Sequence, residues 1–87
     1  MLPLFMLLDV SLEIASQWVK LGAAFTAVLT VAAAAWGISK IAKTALEGIS
    51  RQPEASNDLR GAMIISSALI EGVAFFAIVV SLLVLFV

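Results

Sequence analysis

The chain has 87 residues, 63% of them hydrophobic and only 13% charged, with a formal charge of −1. Globular domains average about 45–50% apolar and about 25% charged residues, and a short soluble chain cannot bury so much apolar surface, so the composition argues against a water-soluble monomer. Without Cys or His there is no disulfide, zinc ribbon or thiol nucleophile, and the commonest general base is missing; the charge offers no field for nucleic acid.

Met1 to Leu8 are apolar and precede Asp9 and Glu13. Residues 1–18 are expected to form an N-terminal extension at the membrane surface. A signal peptide is a competing reading, against which stand the lack of a basic start and of a convincing small-residue cleavage site. Trp18 suits an interfacial anchor.

An inner helix is expected over 19–50. Leu21 to Ser39 contain no ionisable group, and about 20 apolar residues span a hydrocarbon core of about 30 Å. At 100° per residue, Gly22, Thr26, Thr30, Ala33 and Gly37 form one stripe, while Ala24, Ala35, Ser39 and Ala42 form another roughly opposite. Small residues let membrane helices approach closely, and two such stripes suit a helix with neighbours on both sides. Identical neighbours in head-to-tail contact give a ring if the rotation closes; the stripes by themselves do not fix a ring over a bundle. Alanine richness between positions 32 and 35 is the plainer source of the same pattern.

A polar loop is expected over 51–57, where Arg51-Gln52-Pro53-Glu54-Ala55-Ser56-Asn57 has turn chemistry. Ser56 or Asn57 is the expected cap of the following helix, with Asp58 near its positive end. Four of the five basic residues, Lys40, Lys43, Arg51 and Arg60, flank this loop. That bias puts the loop on the cytoplasmic side and both termini on the other.

The outer helix is expected over 58–87. From Gly61 to Val87 its one ionisable residue is Glu71, about 15 Å of helix beyond Gly61 and so near the bilayer midplane. A charge there costs at least about 2.5 kcal/mol. With no cation of the chain expected at that depth, the carboxyl rests protonated, its O–H donated to a backbone carbonyl or a hydroxyl. Ser67 shares its face. Intramembrane acids usually mark ion or proton pathways; the alternative is a structural carboxyl that joins helices. The fold class is an all-α membrane protein, a two-helix transmembrane hairpin.

A short hairpin with Ala-Leu-Glu-Gly-Ile-Ser-Arg-Gln-Pro-Glu at its turn (Ala45 to Glu54), and a lone membrane carboxyl 18 residues after Pro53, resembles the c subunit of F-type ATP synthases over roughly residues 21–87. The resemblance implies a closed homo-oligomeric ring, first helices inside, packed through Ala33, Ala35, Gly37 and Ser39. These stand where the family usually alternates glycines, so the copy number is open. It implies a rotor without catalysis of its own, in which Glu71 carries the ion. The Leu69 backbone carbonyl, Ser67, Ile38 and Phe76 would line its site. Partners would be the a subunit with its essential Arg, membrane lipids, and the central-stalk subunits gamma and epsilon at Arg51, Gln52 and Pro53.

Sodium-type members carry a Gln at the position of Ile38, a Ser just after the carboxyl and a Tyr five residues after it. Ile38, Gly72 and Phe76 stand here, so the implied ion is a proton rather than sodium, with no cofactor or metal. The expected setting is a bacterial inner membrane. Three other classes fit less well: a holin-type pore former, a purely structural proteolipid in which Glu71 would be dispensable, and the usually longer proteolipid of vacuolar-type enzymes.

Overall fold

The computed structural model describes all 87 residues as two antiparallel helices, α1 (Leu2–Arg51) and α2 (Ser56–Phe86), joined by a short turn. The hairpin has almost no interior. Only Ala23, Ala45 and Ser81 are buried, and the accessible surface is 6972 Å², against about 4,900 Å² for a compact soluble protein of this mass. The radius of gyration is 21.5 Å, where about 12 Å is usual for the length. Each helix is long and apolar enough to cross a membrane, and burial has to come from lipid and neighbouring chains. The chain is an integral membrane protein by this architecture.

What joins the helices is a seam with a seven-residue repeat. On α1 the shielded positions are Lys20, Ala27, Ala34, Ile41 and Gly48, interleaved with Ala23, Thr30 and Gly37. On α2 they are Ser56, Met63, Ile70, Ala77 and Val84, flanked by Leu59, Ser66, Ala74 and Ser81. Sevenfold repeats of this kind let helices cross at a shallow angle with knobs set into holes. The α1 side is mostly small, so the larger α2 side chains can approach its backbone. Near the turn the approach is tightest: a Cβ at Gly48 would lie 3.0 Å from Leu59 Cδ1, and one at Gly37 would lie 3.4 Å from Ile70 Cδ1. Three hydroxyls within the spans are satisfied locally. Thr26 donates to the Gly22 carbonyl at 2.8 Å, Thr30 to the Thr26 carbonyl at 2.8 Å, and Ser81 to the Ala77 carbonyl at 3.0 Å, as a medium without water requires.

Two features depart from the sequence expectations. The extension expected over 1–18 is continuous with the inner helix rather than separate from it. It is the first third of α1, whose 50 residues make a rod of about 75 Å at 1.5 Å per residue, matching the 78 Å long axis. The physical reason is that no Gly or Pro stands between Leu4 and Leu21, so nothing there bends the helix; Pro3 sits at its start, where proline is tolerated.

The second departure is the turn. The only residue between elements is Gln52, with φ −134° and ψ 78°, and Pro53–Ala55 wind into one 3-10 turn that feeds directly into α2. Ser56 and Asn57 therefore lie inside the helix, Ala55 occupies the cap position, and no side chain caps it. Pro53 fixes φ at the start of that turn, and the Ala55 N–H bonds to the Gln52 carbonyl at 2.9 Å, so helical winding begins earlier. Asp58 in the first turn of α2 and Arg51 in the last turn of α1 complement the helix dipoles.

Gly48→Val places a branched side chain against Leu59 and should destabilise the hairpin by about 1–3 kcal/mol through overpacking. Adding Leu59→Ala should restore most of the loss. Thermal unfolding of the helices in detergent, followed by circular dichroism, measures both; equal stability of Gly48→Val and the parent would refute the close contact.

Candidate functional site

Glu71 lies 15 residues from Ser56 and 15 from Phe86, the two ends of α2. That is about 22 Å from either end at 1.5 Å per residue. It follows the seam residue Ile70 by one position, which turns it about 100° away from α1. The carboxyl is exposed, and the hairpin's side-chain hydrogen bonds come from Thr26, Thr30 and Ser81 alone, so Glu71 has no partner within the chain. It stands in a groove along one edge of the seam, walled by Val31, Ala34, Ala35 and Ile38 of α1 and by Ala68, Gly72 and Phe75 of α2. Apart from Glu71 itself, no residue lining that groove carries a side-chain oxygen or nitrogen.

A second groove runs along the other edge. Thr30, Ala33, Trp36 and Gly37 of α1 face Leu69, Val73 and Ala77 of α2 there. Of the first small-residue stripe, Thr30, Ala33 and Gly37 border this groove, Thr30 and Gly37 being on the seam as well; of the second, Ala35 alone borders the Glu71 groove. Ser39 borders neither and is exposed.

The remaining expected site residues divide in the same way. Ile38 lies beside Glu71, while Leu69 lies on the opposite flank, about 160° round α2. Ser67, one turn before Glu71, is half-buried and makes no hydrogen bond to it. Phe76 is 71% exposed and outside the groove; five residues on a helix is about 140° of rotation. Phe75, about 40° from Glu71, is the aromatic wall instead. Arg51, Gln52 and Pro53 are all exposed at the turn.

Sequence reasoning assigns Trp36 no role. In the hairpin the Lys40 ammonium lies 4.2 Å from its ring centroid. Lys40 sits beside Met63 and Ser66 of α2, one to two turns nearer the loop than Glu71. Its charge is drawn onto Trp36, which borders the groove opposite the carboxyl. Such a pairing is worth about 0.5–2 kcal/mol, depending on desolvation. The i,i+4 spacing of Trp36 and Lys40 is the signal that could have found it.

Comparison with known proteins adds the family. The family model for the C subunit of ATP synthase matches residues 21–84. A protein of Bacteroides thetaiotaomicron, named as an ATP synthase c subunit, is 56% identical over 84 residues, covering 93% of this chain and 99% of its own. One of the same name from Bacteroides fragilis is 58% identical with the same coverage. Another from Lactobacillus helveticus is 47% identical over 66 residues, covering 76% of this chain and 86% of its own. With a match across most of its length, both spans included, this chain belongs to the ATP synthase C-subunit family.

Proposed function

We propose that this chain is the proton-carrying rotor subunit of a rotary ATP synthase, with Glu71 as the group that is protonated and deprotonated. The observation that carries the reading is the position of Glu71: midway along α2, off the seam, and without an intrachain partner. A carboxyl meant to join α1 to α2 would lie on the seam. This one faces whatever covers the flank.

The cycle follows from the cost of charge in hydrocarbon. An ionised carboxylate at mid-membrane is disfavoured by at least about 2.5 kcal/mol, roughly 70-fold, so Glu71 crosses the lipid-facing part of a turn as the neutral acid. It gives up its proton only where another protein supplies water and a cation, the role of the a subunit and its Arg. Copies related head-to-tail would set the Glu71 groove of one hairpin against the Leu69 and Val73 flank of the next. That arrangement brings a neighbour's Leu69 carbonyl within range as acceptor for the neutral O–H. The small residues Ala33, Gly37 and Ala35 allow this lateral approach.

The ion is a proton. A metal cation sheds its hydration shell only where several oxygens replace it, and the groove around Glu71 offers no other side-chain oxygen. The basic residues flanking the turn support a cytoplasmic turn, in a bacterial inner membrane on this reading. Arg51, Gln52 and Pro53 then stand where the central stalk, gamma and epsilon, would grip the ring. ATP chemistry belongs to other subunits.

Glu71→Gln should leave insertion and ring assembly intact and reduce proton-driven ATP synthesis in reconstituted vesicles to background; normal coupling would remove Glu71 from the mechanism. A hydrophobic carbodiimide should modify Glu71 in preference to Glu54 and Asp58, read by peptide mass, because it partitions into lipid where the neutral acid sits. Sodium should give no protection, and clear protection would reassign the ion. Arg51→Ala combined with Gln52→Ala should keep proton passage through the membrane sector while ATP synthesis falls several-fold, measured as synthesis per proton taken up.

A further inference from the structure

The first part of α1 has no partner in the hairpin. Val87, the end of α2, lies beside Ser16, Val19 and Lys20, so the 14 helical residues 2–15 run on alone for about 21 Å. Fourteen residues are marginal as an isolated helix in water, and the large apolar side chains here are each more than half exposed. Something covers them.

The seam register identifies the covered sides. Continued toward the N-terminus in steps of seven, it passes from Lys20 to Glu13 and Met6, and from Ala23 to Ser16, Asp9 and Leu2. Where α2 stops, the face that met it carries both charged residues of the segment, Asp9 and Glu13. The two flanks stay apolar. Three and four repeats before Val31 and Ala35, which border the Glu71 groove, stand Val10, Ile14 and Leu7. At the same offsets before Ala33 and Trp36, which border the opposite groove, stand Leu12, Ala15, Phe5 and Leu8.

We propose that residues 2–15 of neighbouring copies pack flank to flank into a collar that continues the inner wall of the ring past the ends of the outer helices. Leu7, Val10 and Ile14 of one copy meet Phe5, Leu8 and Leu12 of the next, and Asp9 and Glu13 point outward to water or headgroups. The occupant of each flank is a second copy of this chain, because the apolar flanks continue the ones that carry lateral contacts within the membrane. A bilayer surface as the alternative cover would need a bend, and no Gly or Pro between Leu4 and Leu21 supplies one. The inference rests on the ring of the proposed function.

The absence of cysteine makes the test clean. Leu12→Cys with Ile14→Cys places one thiol on each flank, at the positions equivalent to Ala33 and Ala35 three repeats later. Mild oxidation of the solubilised complex should give a ladder from dimers up to the whole ring. Leu8→Cys with Val10→Cys samples the same flanks one turn further out and should do likewise, whereas Asp9→Cys with Glu13→Cys, both outward, should give no ladder. Native mass spectrometry of the unmodified protein reports the ring independently. An intact ring with both flank pairs failing to cross-link overturns the collar alone, and a monomeric unmodified protein overturns the ring and the collar together.

Discussion

The arrangement of this hairpin depends on one offset: Ile70 is on the seam and Glu71 is not. A seven-residue repeat fixes which residues of α2 meet α1, and each step of one residue turns the side chain by about 100°. Had the register slipped by one, Glu71 would point into the seam toward Ala34, a static hydrogen-bonding group or an unsatisfied one. Placed on the flank, it lies in an apolar groove that is complete only when another surface closes over it. The same offset puts Leu69 on the opposite flank. Residues 69 and 71 therefore border different edges of the hairpin.

Lys40 is the cation of α1 nearest to Glu71 along the hairpin. Helical side chains lean toward the N-terminus, which carries Lys40 back over Trp36 at i−4, at 4.2 Å. The ring faces of aromatic residues attract cations electrostatically, and Trp36 borders the groove away from Glu71. The charge stays on one flank and the acid on the other.

Much of this is legible in the residues. Span lengths, the hairpin, the depth of Glu71 and the two small-residue flanks follow from composition and helical arithmetic, because a membrane leaves helices few alternatives. The parts that differ have local causes. Ser56 and Asn57 are good caps in isolation, but Pro53 starts a 3-10 turn that carries winding past them. The boundary expected near residue 18 is absent, because no Gly or Pro between Leu4 and Leu21 interrupts the helix. Phe76 occupies a family position, yet rotation places Phe75 against the carboxyl within the hairpin instead. Sequence proximity on a helix does not imply a shared face.

A hairpin with three buried residues has little fold of its own to protect, which separates the consequences of change at different positions. Substitutions on the seam, such as at Gly48 or Ile70, act on whether the two helices stay together. Substitutions on the flanks, at Ala33 or Ala35, fall on exposed positions and leave the hairpin's own contacts largely intact. Glu71 belongs to neither group, since Gln keeps its size and one acceptor and removes only the exchangeable charge. A side chain midway along an apolar helix and without an intrachain partner can change without cost to the hairpin, so the loss of its charge is read only in contacts beyond the single chain.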